Sequence, residues 1–240
     1  MIVKALFRGV QSRLNIRNSN TKKLSPIAQK LVSEGLFDDD WYLAQYPAVK
    51  KIKKWRKNPV IHFLTIGGVN GYSPGAWFDS EWYLTHNSDV KRAGINPLLH
   101  YINHGLSEGR KRNDVVSLVA GSESYKFVAV PIEGFTFKLP ILGQNRNLVF
   151  STVFQQFEKP KPNVRCGIVE VTCFSRQGQI KTQGLKGLNW SEHLQVWYRY
   201  LAQKDIDKVQ TDIFSVEIPE DVIFCKITFK AWDKNKFELR

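Results

Sequence analysis

Cysteine and long apolar runs are both scarce in this 240-residue chain, and each shortage narrows what it can be. The three cysteines, Cys166, Cys173 and Cys225, contain no Cys-x-x-Cys pair. That count and spacing argue against a zinc ribbon or a disulfide framework, and for free thiols kept in a reducing compartment as small buried hydrophobes. No run of 18 apolar residues occurs, so no transmembrane helix is expected. The opening "MIVKALFRGVQSRLN" lacks a continuous apolar region and a small-residue cleavage site, and does not read as a secretory signal. A Gly-rich phosphate loop and a G-x-S-x-G elbow are missing, as is the βαβ rhythm that a nucleotide-sugar transferase needs. No metal, cofactor or catalytic residue is therefore expected.

Acids are absent from the first 33 residues, which carry Lys4, Arg8, Arg13, Arg17, Lys22, Lys23 and Lys30. More than half of the net charge of +13 sits on this segment, so it reads as a basic arm attached to a mildly basic globular part. On a helix, Val3, Leu6, Phe7, Val10 and Leu14 would share one face, with Lys4 and Arg8 opposite. A basic amphipathic helix of this kind suits an anionic membrane surface. The membrane or polyanion contacts expected from the sequence are Lys4, Arg8, Arg13 and Arg17, with Lys53, Lys54 and Arg56 from the run "KKIKKWRK". A nucleic-acid partner finds no recognition-helix, zinc-finger or RNA-binding signature to support it.

What the chain does contain is a motif written twice. "FDDDWYL" starts at Phe37 and "FDSEWYL" at Phe78. The copies align as Asp38/Asp79, Trp41/Trp82, Tyr42/Tyr83 and Val49/Val90, then, after three extra residues in the first, as Asn58/Asn96, Pro59/Pro97, His62/His100, Gly67/Gly105 and Gly71/Gly109. Self-similarity at this period marks a repeated supersecondary unit. Asp38 and Asp79 suit N-caps, and Phe37 and Tyr42, like Phe78 and Tyr83, have the spacing of a hydrophobic staple. Asn58 and Asn96, each followed by proline, suit the start of a second helix, and Gly67 and Gly105 suit helix ends. Each copy is thus expected to be a helix–turn–helix of about 35 residues. The carboxylates have a structural task at helix starts, and the paired histidines a hydrogen-bonded one. His100, His104 and Glu108 have metal-like spacing, but Gly105 should end the helix before Glu108.

The pattern F-D-x-x-W-Y-L, D-V, N-P-L-x-H-Y, H-G-x-x-E-G-R resembles the short tandem repeats that accompany bacterial glycosyltransferases and polysaccharide-synthesis proteins. Phe78 to Arg110 fits closely. The first copy departs, with Ala48 in place of an acid, the lysine-rich insertion, and "GGVNGY" for "HGLSEGR". The resemblance covers about a third of the chain. It implies a neighbourhood in polysaccharide synthesis and a glycan or glycosyltransferase partner, and no activity of its own.

Beyond about Ser122, short apolar runs are broken by Gly, Pro and Asn. Strands are expected at 125–130, 135–139, 148–157, 165–174, 194–201, 213–218 and 223–232. In the last, Ile223, Cys225, Ile227, Phe229 and Ala231 form a core face. Leu194, Trp197, Tyr198 and Leu201 also fit a helix, although "VWYRY" favours a strand.

The expected fold is therefore α+β: an arm (1–33), a small helical-hairpin repeat domain (34–117) and an antiparallel β-sandwich, jelly-roll-like (118–240). Glycan contacts are expected from Trp190, Trp197, Tyr198 and Trp232, with Tyr200 also among the strand aromatics. The function expected is a non-catalytic accessory or binding module of surface-polysaccharide biosynthesis, cytoplasmic and peripheral to the inner face of the membrane. A polyanion binder using the arm, and a carbohydrate-active hydrolase or lyase on the sandwich, are the alternatives.

Overall fold

The computed structural model describes residues 25–112, 128–130, 133–142, 146–156, 164–181, 184–203, 209–232 and 237–239. The chain divides after residue 118 into a helical unit and an antiparallel sheet unit, an α+β composition. Of the residues expected in the basic arm, Lys4, Arg8, Arg13 and Arg17 lie outside the described residues. The end of that segment is not an arm. Pro26–Ser33 is a helix with Pro26 at its first turn, and the Ser25 side chain accepts the Ala28 N–H. Ala28 and Leu31 are fully buried in the helical unit, so the apolar spacing of this stretch outweighs its basic composition.

The two F-D motifs fold alike for local reasons. Asp38 accepts the Trp41 N–H at 3.3 Å and starts helix Asp39–Gln45; Asp79 accepts the Trp82 N–H at 2.9 Å and starts helix Ser80–His86. The staple rings meet, Phe37 with Tyr42 at 4.9 Å and Phe78 with Tyr83 at 5.3 Å between centroids. Each copy is more segmented than a two-helix hairpin. The first helices give way to Pro47–Lys51 and to Ser88–Arg92, because Tyr46 and Asn87 leave the helical region and restart the chain. The final helices, Pro59–His62 and Pro97–His100, run into π turns at Phe63–Gly67 and Tyr101–Gly105. Sequence spacing alone gives no sign of those wide turns.

Each π turn is organised by a buried tyrosine. The Tyr42 hydroxyl and His62 Nδ1 share a hydrogen bond of 2.8 Å, and Tyr83 and His100 one of 2.9 Å. Burial pushes the Tyr42 phenol well above its ordinary range and the Tyr83 phenol up to about 12. Burial also lowers the pKa of both imidazoles, with the charges of Arg110 and His104 adding to the effect at His100. The folded unit thus favours neutral histidine, and the unfolded chain binds the proton first. Stability should fall as pH drops below the ordinary histidine value of 6.5, until the lower folded-state values are passed. A lower urea midpoint for the helical unit at pH 5.5 than at pH 7.5, flattened in a His62→Gln/His100→Gln variant, is the expected result; a pH-independent wild-type midpoint would contradict it.

The departures of the first copy are concerted. In the second copy, Arg110 binds Asp89 at 3.0 Å, Glu108 at 2.7 Å and the Asn87 side chain at 2.9 Å. In the first, Tyr46, Ala48 and Tyr72 align with Asn87, Asp89 and Arg110. There the Tyr46 and Tyr72 rings stack at 4.3 Å. An exposed ion-pair network in one copy is replaced by an aromatic stack in the other, which explains why Ala48 and "GGVNGY" occur together.

The sheet unit has two antiparallel sheets. The six-stranded one has the order β2 (Phe135–Pro140), β9 (Phe224–Ala231), β4 (Val164–Ser175), β7 (Val196–Gln203), β6 (Asn189–Ser191), with β5 (Gly178–Ile180) paired to β4. The four-stranded one has the order β1 (Val128–Ala129), β10 (Phe237–Leu239), β3 (Asn147–Gln156), β8 (Gln210–Glu217). The "VWYRY" run is a strand, and short β5, β6 and β10 add to those expected from alternation.

Phe137, Val169, Val171, Leu201, Cys225, Ile227 and Phe229 form the buried row of the larger sheet, and Phe150, Phe154, Phe214 and Val216 that of the smaller. From the first row Arg199 reaches across to Asp212 of β8 through two bonds of 2.8 and 3.0 Å, and lies over Phe214. All three cysteines are buried, and Cys173 and Cys225 are register partners with sulfurs 3.5 Å apart. Among the described residues, no helix is long and apolar enough to cross a membrane.

Candidate functional site

The register of the six-stranded sheet sorts the aromatic residues onto two faces. In β7, Trp197, Arg199 and Leu201 alternate with Tyr198 and Tyr200. Leu201 is fully buried and Arg199 joins the second sheet, so Trp197 belongs to the inward row. Its neighbour across the β6–β7 ladder is Trp190, with ring centroids 5.1 Å apart, and the Trp190 indole N–H donates to the Glu192 carboxylate at 2.6 Å. Tyr198 and Tyr200 lie on the opposite face. Trp232, two residues beyond Lys230, continues the same face of β9 and meets Tyr200 edge-on at 4.6 Å. The four glycan-contact residues expected from the sequence therefore do not form one cluster. Trp190 pairs with Trp197 on one side, and Tyr198 and Trp232 join Tyr200 on the other.

The second group is the better-built site. The Arg165 guanidinium lies 4.0 Å above the Tyr200 ring, next to the bulge between Arg165 and Gly167. Tyr198 meets Tyr200 edge-on at 5.2 Å. In the register, Glu170 is flanked by Tyr198 on one side and Thr228 on the other. Its nearly buried carboxylate accepts from the Lys230 ammonium at 2.7 Å. Thr228 shares a 2.9 Å hydrogen bond with Thr136 of β2. Lys138 and Lys226 are register partners on the same face, and Phe174 and Phe224 stack at 4.7 Å at its far end. From Ile168 to Phe174 this strip is about 20 Å long at the rise of a β-strand.

Its chemistry suits a polar ligand. The rings of Tyr198, Tyr200 and Trp232 are half-buried, so each is fixed by packing while part of it meets solvent. Beside them lie a hydroxyl pair, a carboxylate and cations, which can donate to and accept from a polar ligand. The ion pair fixes the Lys230 ammonium against the Glu170 carboxylate. Sequence reasoning missed Arg165, Glu170, Lys230 and the threonine pair. Glu170 was legible as the lone acid in "CGIVEVTCF", a strand otherwise of apolar and small residues.

The other expected sites among the described residues lie on the helical unit. Lys53, Lys54 and Arg56 are exposed on a five-residue helix, Lys53–Lys57. His100 is bound by Tyr83 and Glu108 by Arg110, so two of the three metal-like positions are engaged elsewhere. Among the described residues no group of three His, Cys, Asp or Glu side chains is arranged to hold a metal ion. No family model matches the chain, and no curated protein matches it in sequence.

Proposed function

We propose that this chain is a non-catalytic accessory module of bacterial surface-polysaccharide synthesis that binds glycan on the outward face of its six-stranded sheet. The observation that carries this reading is the Tyr198–Tyr200–Trp232 cluster beside the Glu170–Lys230 pair: half-exposed rings for stacking on sugar faces, and fixed polar groups for the hydroxyls at their edges. In this reading the two sheets pack as a β-sandwich of jelly-roll type, which the Arg199–Asp212 link and the two inward apolar rows support. The twice-written F-D-x-x-W-Y-L unit, with its resemblance to modules that accompany glycosyltransferases, supplies the biological setting and a glycosyltransferase as the protein partner.

A glycan array with bacterial capsular and exopolysaccharide fragments tests the reading. Binding should weaken about tenfold or more in Tyr200→Ala and in Trp232→Ala, since each truncation removes about 1.4 kcal/mol or more of ring burial. Trp190→Ala, on the opposite face, should leave it within about twofold, a change too small to register as lost ring burial. Silence across the array, together with no capture of a glycosyltransferase, would end the proposal.

A further inference from the structure

The three-residue insertion of the first copy builds a surface that the second copy lacks. After Val49 the chain runs Lys50, Lys51, Ile52, Lys53, Lys54, Trp55, Arg56, Lys57, Asn58; after Val90 it runs Lys91, Arg92, Ala93, Gly94, Ile95, Asn96. The added length folds into helix Lys53–Lys57, which has no side-chain N-cap and buries none of its residues. All six cations between residues 50 and 57 are exposed, and none forms an ion pair within the described residues. Neighbouring cations along this run, one or two residues apart, lie inside a screening length of about 8 Å and repel one another. A short helix whose inward contact is Trp55 against His62 gains nothing for folding from cations that repel one another.

Its apolar residues indicate the partner. Ile52 sits at the break between helices Pro47–Lys51 and Lys53–Lys57, between two lysines on either side, and is 51% exposed. Trp55 is half-buried against His62 with ring centroids 5.2 Å apart, and Lys54 Nζ lies 4.2 Å from the Trp55 ring. An exposed β-branched side chain and an indole carrying an ammonium group on its ring suit the boundary of an anionic bilayer, where apolar groups enter the headgroup layer and lysines meet the phosphates and carboxylates. A polyphosphate or nucleic-acid partner would use the cations and leave Ile52 without a role.

We infer that the turn Lys50–Lys57 is a membrane-docking surface for anionic phospholipid. The inference does not rest on the glycan reading.

Co-sedimentation of the full chain with phosphatidylcholine vesicles, with and without phosphatidylserine, tests it. To isolate the turn, the comparison is made in a full-length background with Lys4, Arg8, Arg13 and Arg17 changed to Gln. Binding should require phosphatidylserine and weaken with salt. Changing Lys50, Lys53, Lys54 and Lys57 to Gln should lower partitioning by roughly several hundredfold, at about fivefold per cation. Ile52→Ser should lower it severalfold while leaving binding to heparin or duplex DNA unchanged. The inference is overturned if the background protein does not bind anionic vesicles, if the four-lysine variant binds as the background does, or if Ile52→Ser has no effect on vesicles. The substituted side chains of the turn are all exposed, and an unchanged far-UV spectrum confirms that each variant is folded.

Discussion

Gly67→Ala and Gly105→Ala should each destabilise the helical unit by about 3 kcal/mol, although helix propensity alone predicts that both would stabilise it. Gly67 has helical backbone angles, φ −64° and ψ −50°, and Gly105 has no positive φ. Replacing a glycine there by alanine would ordinarily gain up to about 1 kcal/mol. The opposite sign comes from the tyrosines. A Cβ on Gly67 would collide with the Tyr42 hydroxyl and sit 3.2 Å from His62 Nδ1; one on Gly105 would collide with the Tyr83 hydroxyl and sit 3.1 Å from Tyr101 Cδ2. Neither ring can swing aside, because each is buried among other aromatics and bonded to histidine. Overpacking costs about 1–3 kcal/mol, and loss of the Tyr–His hydrogen bond about 1 more. Urea unfolding followed by far-UV circular dichroism measures the loss. The Tyr42→Phe/Gly67→Ala pair tests its cause: the double variant should be at least about 1 kcal/mol more stable than the two single losses summed. Additive losses would mean that the hydroxyl contact is not what requires glycine.

Such a contact shows where sequence reading succeeds and where it stops. The caps at Asp38 and Asp79 and the staples beside them span four or five residues, and local spacing determines them. The Tyr42–His62 bond joins residues 20 apart and depends on a π turn that no apolar period announces. Gly67 and Gly105 read as helix ends, whereas their backbone continues through the turn and their smallness serves a tyrosine. The same division runs through the sheets. Alternation in "FCKITFKAW" places Lys226, Thr228, Lys230 and Trp232 on one side. Period two also separates adjacent Trp197 and Tyr198, so grouping them by residue type mixed two faces. Which tyrosine meets Trp232, and that Glu170 meets Lys230, depend on a cross-strand register set by pairing at a distance.

The two asparagines of the N-P motifs should differ sharply despite occupying matched positions. Asn96→Ala should cost about 2 kcal/mol, while Asn58→Ala should stay within about 0.5 kcal/mol of wild type. Asn96 is buried; its Oδ1 accepts from the N–H groups of Leu98 and Leu99 at 3.1 and 3.3 Å, and its Nδ2 donates to the Phe63 carbonyl at 3.2 Å. Asn58 is exposed and makes no side-chain cap. The cause is the inserted helix, which ends on Asn58: the Asn58 N–H is bonded to the Trp55 carbonyl, and its backbone, at φ −143° and ψ 68°, closes one helix while opening the next. Asn96 follows a turn instead, at φ −58° and ψ 121°, with its side chain free to face the helix start. The bond to Phe63 gives Asn96 a second task, since Phe63 begins the π turn of the first copy and Asn96 begins the last helix of the second. Asn96→Asp separates the tasks: it keeps the cap acceptor, loses the donor to Phe63, and should fall between alanine and wild type. Losses of equal size for Asn58→Ala and Asn96→Ala would show that neither the cap nor the bond between copies contributes as the geometry requires.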